Sequence, residues 1–247
     1  MGLFNFGKKT DVSASQSANT NSSISLEKSI ISLDKTLITL EKKSGFNFDG
    51  HRAKVAVAMD YSGSMRSLYR DGSVQNVLTR LMPLALKFDD NGELDVWIFD
   101  DNFKRMESMD MSNYANYVDE EILSKGYHMG ATNYAPVLQD MLKKYFKEDI
   151  MSAKDPTFVI FITDGANADK RNTDDVIRES ANKNIFIQFV GIGNADFPYL
   201  EKLDDLTGRV VDNTGFIKVS DMSRVSDEQL FEMLLDQYPD WLRNKPF

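Results

Sequence analysis

Two short apolar runs stand out in the pattern of the chain. Val55-Ala-Val-Ala-Met59 stops at Asp60, and Phe158-Val-Ile-Phe-Ile162 stops at Thr163-Asp164-Gly165. Runs of this length, ended abruptly by polar residues, predict strands buried on both faces. Further strands are predicted at Leu94–Phe99 and Ile185–Val190, and a last one near Arg209–Val211. Asp100-Asp101-Asn102 reads as a hairpin turn into a short edge strand, Phe103–Met106. Between these runs, apolar residues recur at helical spacing. Helices are predicted from Ser73, as a cap, to about Phe88 with a kink at Pro83, and over Met111–Leu123, Tyr134–Phe146, about Thr173–Asn182 and Phe197–Leu206. Ser226-Asp-Glu-Gln229 has the spacing of a capping box for a final helix reaching about Tyr238.

Strands alternating with amphipathic helices predict a doubly wound, Rossmann-like α/β fold. It would have a mostly parallel central sheet, one antiparallel edge strand and helices on both faces. Ligands of such folds lie beyond the carboxyl ends of the strands, where strand order reverses. Asp60 and Asp164 both stand at such ends.

The pattern changes before residue 45. Residues 1–23 read as a disordered tail, because 8–23 are Lys-, Ser-, Asn-, Gln- and Thr-rich; Leu3, Phe4 and Phe6 offer only a small apolar hook. Residues 24–44 repeat a seven-residue unit three times, beginning at Ile24, Ile31 and Ile38. As a helix, Leu26, Ile30, Leu33, Leu37 and Leu40 form a four-three seam suited to docking or to a short coiled coil. As strands, each Ile-Ser/Thr-Leu triplet alternates apolar and polar residues. Both readings stand, with helix favoured for the first part and strand for the last. Residues 45–247 form the α/β domain.

Composition narrows the chemistry. The 247 residues carry a formal charge of -9 and no cysteine. An acidic surface argues against a nucleic-acid groove, and the missing thiols exclude disulfides, thiolate metal sites and a cysteine nucleophile. No apolar run has the length of a membrane span. A cytoplasmic protein is expected.

Asp60, Ser62 and Ser64 place one carboxylate and two hydroxyls at alternate positions after the first strand. Such hard oxygen donors suit Mg²⁺, Ca²⁺ or Mn²⁺ rather than Zn²⁺ or copper. With Thr132 in Gly130-Ala-Thr-Asn-Tyr134, and Asp164, the set resembles the metal-ion-dependent adhesion site (MIDAS) of von Willebrand factor A (vWA) domains. The resemblance implies direct ligation by Ser62 and Ser64. Asp60 and Asp164 would act through water, and Thr132 would switch between direct and bridged contact. Asn133 and Gly63 would shape the loops. A divalent cation is implied, Mg²⁺ first, with Ca²⁺ or Mn²⁺ as alternatives. The last ligand would be an Asp or Glu from a protein partner. Ser62–Gly72, Ala85–Val96 and Gly130–Pro136 also resemble the TerF-like branch of these domains, over about Leu40 to the C-terminus. That branch implies a bacterial tellurium-resistance or stress-response adaptor, although no full-size TerD-type domain accompanies it here.

Other readings have less to build on. The position two after Asp60 is Ser62, where a dehalogenase-type phosphoaspartate enzyme needs an acid. No Gly-x-Ser-x-Gly elbow surrounds either serine, and the only histidines are His51 and His128. Gly191-x-Gly193 is too little for a dinucleotide fingerprint. A non-enzymatic binding module is expected. The alternatives are a metal-dependent phosphatase or hydrolase using the same ion, and an assembly protein that oligomerises through 24–44.

Overall fold

A computed structural model describes residues 12–148 and 154–246. Six strands form one sheet: β1 (Lys54–Asp60), β2 (Leu94–Phe99), β3 (Phe103–Arg105), β4 (Thr157–Thr163), β5 (Ile185–Ile192) and β6 (Thr214–Val219). Their order is β3-β2-β1-β4-β5-β6, parallel throughout except for β3, which pairs antiparallel with β2. The order reverses between β1 and β4, so the ends of these two strands flank the switch point.

Alternation along β1 feeds two cores. Val55, Val57 and Met59 join the core beneath α1 (Val12–Ser44), α3 (Ser73–Phe88) and α7 (Asp227–Leu235). Ala56 and Ala58 face the other core, with α4 (Ala135–Lys143), α5 (Lys170–Ser180) and α6 (Pro198–Asp204). The alanines have a purpose there. Ala58 is flanked in register by Trp97 and Phe161. A methyl group leaves room for Phe99 of β2 and Phe161 of β4 to approach across β1, with ring centroids 4.6 Å apart. Tyr134 closes on both rings edge-on, at 5.8 and 4.9 Å. Pairs of this kind add about 0.5–1.5 kcal/mol beyond area burial.

The open choice for residues 24–44 resolves to helix over the whole segment, including the last part for which a strand was favoured. Leu26, Leu33, Leu37 and Leu40 are buried in the same core as β1, with Ile30 partly buried beside them. Packing of that seam outweighs the poor helix propensity of the Ile, Ser and Thr between. Ser29 Oγ donates to Asp227 of α7, and Lys43 pairs with Asp236 at 2.5 Å. The repeat is therefore a layer of the α/β domain rather than a separate segment. The helix starts at Val12, inside the stretch read as a linker; extending a formed helix costs far less than nucleating one. The predicted hook at Leu3, Phe4 and Phe6 lies outside the described residues.

Three other expectations change. The Met111–Leu123 helix is broken into a 3₁₀ turn (Tyr114–Asn116), a π turn (Val118–Ile122) and a second 3₁₀ turn (Leu123–Lys125). Gln75 of α3 is the cause. Its amide donates to Tyr114 O at 2.7 Å and accepts from Val118 N at 2.8 Å, taking both ends of what would be one i→i−4 bond. The last strand is β6, not Arg209–Val211. Val210 is exposed, and the Arg209 guanidinium caps the carbonyls of Asp204 and Leu206 at the end of α6. Ser73 does not cap α3: Gly72, at φ +83°, holds the cap position and Asp71 accepts from Ser73 N. The capping box at Ser226 and Gln229 is present.

Candidate metal centre

β1 delivers Asp60 to the rim fully buried, and both its oxygens are engaged. Oδ1 accepts from Ser62 N at 2.8 Å and Oδ2 from Thr163 Oγ1 at 2.6 Å. Burial pushes its carboxyl up to about 6, against the opposing pull of the Ser62 and Thr163 hydrogen bonds; the nearby Asp164 charge adds to the rise. The chain then turns through Ser62 into a 3₁₀ turn, Gly63–Met65. Ser62 is nearly buried and Ser64 is exposed. Their hydroxyls lie 3.1 Å apart, and Ser64 Oγ donates to Asp164 Oδ1 at 2.9 Å. Four of the five sequence-derived residues thus meet in one hydrogen-bonded chain, in which the Ser62 amide links Asp60 to the two hydroxyls and Asp164.

Thr132 reaches the same rim through its backbone. Gly130 O accepts from Gly63 N at 3.2 Å, and Thr132 O accepts from Ala168 N at 2.9 Å. The 130–133 loop is therefore stitched to both of the other loops. Two acids with no obvious sequence signal hold it. Asp100, at the end of β2, accepts from Gly130 N with its carboxylate and from Asn133 N with its carbonyl, bracketing Thr132. Asp169 accepts from Tyr134 N and Ala135 N at the start of α4. A Cβ at Gly130 would stand 1.9 Å from Asp101 Oδ1, so a side chain there requires the exposed Asp101 carboxylate to move aside. Tyr134 donates to Gly165 O, tying this loop to the end of β4.

The donor set fits a hard cation. Among the described residues no three His, Cys, Asp or Glu side chains cluster as a metal site, so hydroxyl oxygens must supply much of any coordination. A cation held that way by Ser62, Ser64 and Thr132 keeps most of its charge, with Asp60 and Asp164 behind it. His128 is exposed on the loop before Gly130 and makes no bond to this cluster, and His51 is at the opposite end of the sheet. A larger cavity, about 1260 Å³, opens beside α3 and the segment before α7. Arg80 on its wall is already bound to Asp227 and to the carbonyls of Met222 and Val225.

Known proteins resemble this chain in sequence or in fold. YcbR, an uncharacterized protein of Bacillus subtilis (strain 168), is 43% identical over 193 residues, covering 77% of this chain and 78% of that protein. Proximal thread matrix protein 1 of the mussel byssus superposes with a TM-score of 0.55 at 14% identity, over 76% of this chain and 48% of that longer one. Manganese-loaded TRAP of Plasmodium vivax superposes with a TM-score of 0.50 at 16% identity, over 68% of this chain and 69% of that one. The model of the vWA-TerF-like family, the vWA domain found in the TerF C terminus, matches residues 52–246. With that match over most of its length, the chain belongs to the vWA-TerF-like family.

Proposed function

We propose that the protein is a divalent-cation-dependent protein-binding module. Ser62 and Ser64 ligate the ion directly, Thr132 does so directly or through water, and Asp60 and Asp164 balance its charge from behind water. The observation that carries this reading is the hydrogen-bonded run from Asp60, through the Ser62 amide and the Ser62 and Ser64 hydroxyls, to Asp164, with Ser64 exposed. An ion held mainly by hydroxyls stays electrophilic and takes an Asp or Glu of the partner as its outermost ligand. The metal in the TRAP structure, a protein of the same fold, supports the choice of a divalent ion. Mg²⁺ is the first candidate, with Ca²⁺ and Mn²⁺ as alternatives.

The module binds and does not turn over substrate. It serves as a cytoplasmic adaptor in a tellurium-resistance or stress-response system, a role its family membership supports. Calorimetric titration of Mg²⁺ into the wild type and into Ser64→Ala and Asp164→Ala tests the site. Both replaced side chains are at least partly exposed, so the folds are expected to survive. A saturable site in the wild type that weakens at least tenfold in both variants is expected; equal affinities would rule the site out.

A further inference from the structure

The chain carries 38 acidic residues against 29 Lys and Arg, and its acids claim most of its arginines. Seven of the ten arginines form ion pairs. The three that form none among the described residues are Arg66, Arg70 and Arg171, all exposed. All three are near the carboxyl rim of the sheet. Arg171 is the second residue of α5, which follows the Asp164 loop. Arg66 and Arg70 open and close α2 (Arg66–Arg70), separated from Ser64 only by Met65. Four residues apart on a helix, they share a face. With Gly63, Ser64, Ser67 and Asp71 they line an open cleft of about 560 Å³. The exposed hydroxyl of the metal centre and two uncommitted guanidinium groups thus border one cleft.

We propose that this cleft recognises a run of carboxylates in an acidic protein segment. One Asp or Glu reaches the cation at Ser62 and Ser64, and neighbouring acids of the same segment are gripped by Arg66 and Arg70. The inference rests on the cation-dependent reading of the rim and extends it to the partner's sequence. A guanidinium fork matches a carboxylate through two parallel hydrogen bonds. The net charge of -9 weakens non-specific attraction of an acidic segment, which favours a local site such as the rim. A nucleic acid would bring far more negative charge against the same field, with too few basic side chains to neutralise it.

Two fluorescein-labelled decapeptides test the cleft. One alternates Glu and Ser; the other keeps a single central Glu and has Gln at the remaining Glu positions. Anisotropy is read in saturating Mg²⁺ and again in EDTA. The wild type is expected to prefer the Glu-rich peptide roughly tenfold, as two favourable surface pairs allow, with the preference shrinking as salt rises. The Arg66→Gln/Arg70→Gln double variant is expected to bind both peptides alike, with its melting temperature unchanged and its calorimetric Mg²⁺ affinity no weaker, since two positive charges leave the neighbourhood of the ion. Arg66→Lys/Arg70→Lys should recover only part of the preference, because the ammonium lacks the fork. A preference that survives in the glutamine variant overturns the proposal, as does failure of the wild type to bind or to discriminate. Tighter binding of a phosphoserine decapeptide of the same spacing overturns the assignment to carboxylates. If Mg²⁺ strengthens neither peptide, the metal reading fails while the arginine preference is still read in EDTA. If Mg²⁺ strengthens both equally and no preference exists, the arginine cleft alone fails.

Discussion

The two ends of the sheet handle buried polarity in opposite ways. At the carboxyl end, Asp60 is fully buried, yet its neighbours are serines, a threonine and glycine-containing loops leading to an exposed hydroxyl. At the amino end, His51 stands among Phe46, Phe48, Phe88 and Tyr238, and its Nε2 meets Tyr238 Oη at 3.1 Å. Desolvation dominates both groups and acts in opposite directions on their titration. It pushes the Asp60 carboxyl up to about 6. At His51, burial and the Lys245 charge press the imidazole down to about 4, against the weaker pull of Asp155. One end tolerates a poorly solvated acid beside an opening where a cation can compensate it. The other keeps its histidine neutral inside an aromatic plug. The candidate binding chemistry is all at the rim.

The largest effect expected is on the plug. Tyr238 is fully buried, stacks on Trp241 and packs at a tilt against Phe158 and Phe186. Tyr238→Ala is expected to cost about 3–5 kcal/mol in urea denaturation, with the Mg²⁺ affinity of the folded fraction unchanged. A comparable loss of metal affinity would show that the two ends are coupled. Asp164→Ala should do the reverse: Mg²⁺ affinity should fall roughly 10–100-fold, with a change of less than about 1 kcal/mol in stability.

The pH dependence separates the ends more finely. The folded pKa of His51 is below its unfolded value near 6.5, so its contribution is complete above 6.5 and is lost as pH falls toward 4. Between pH 7 and 5 that loss is about 2 kcal/mol. The folded pKa of Asp60 is above its unfolded value of 3.8, so its contribution is complete below 3.8 and is lost as pH rises through 6. Without divalent cation the two slopes oppose each other, and denaturation midpoints should change little from pH 7 to 5. Saturating Mg²⁺ holds Asp60 ionised, so the same pH change should then destabilise the fold clearly. His51→Gln should remove the part of the slope due to the histidine. The smallest effect is expected at His128, on a rim loop but outside the oxygen network. His128→Ala should move stability by less than about 0.5 kcal/mol and leave Mg²⁺ affinity unchanged.

What could be read along the chain, and what could not, follows the same division. β1 and β4 were legible because strands buried on both faces leave unbroken apolar runs, and each run ends in its acid. The oxygen donors were legible because they cluster at those endings. The residues that hold them were not: Asp100 and Asp169 act through backbone amides of a loop thirty or more positions away, which no local pattern encodes. Gln75 dismantles a well-patterned helix for the same reason. β6 was misplaced because Val210-Val211 looks like a strand until Arg209 is seen capping α6. The seven-residue repeat was ambiguous because its leucine spacing suits a helix while its residue types suit strands. Only the apolar face of the domain decides between them.

That last face has a consequence for where the molecule can be divided. Kinship, judged by the family match, starts at residue 52. The hydrophobic interior starts no later than Leu26. A polypeptide trimmed to the shared region would expose the trough in which four leucines now lie, and Asp227 would lose the serine hydroxyl that reaches it from α1. Uncovered apolar ground of that kind promotes self-association, so a truncation guided by ancestry should associate more readily than the longer chain.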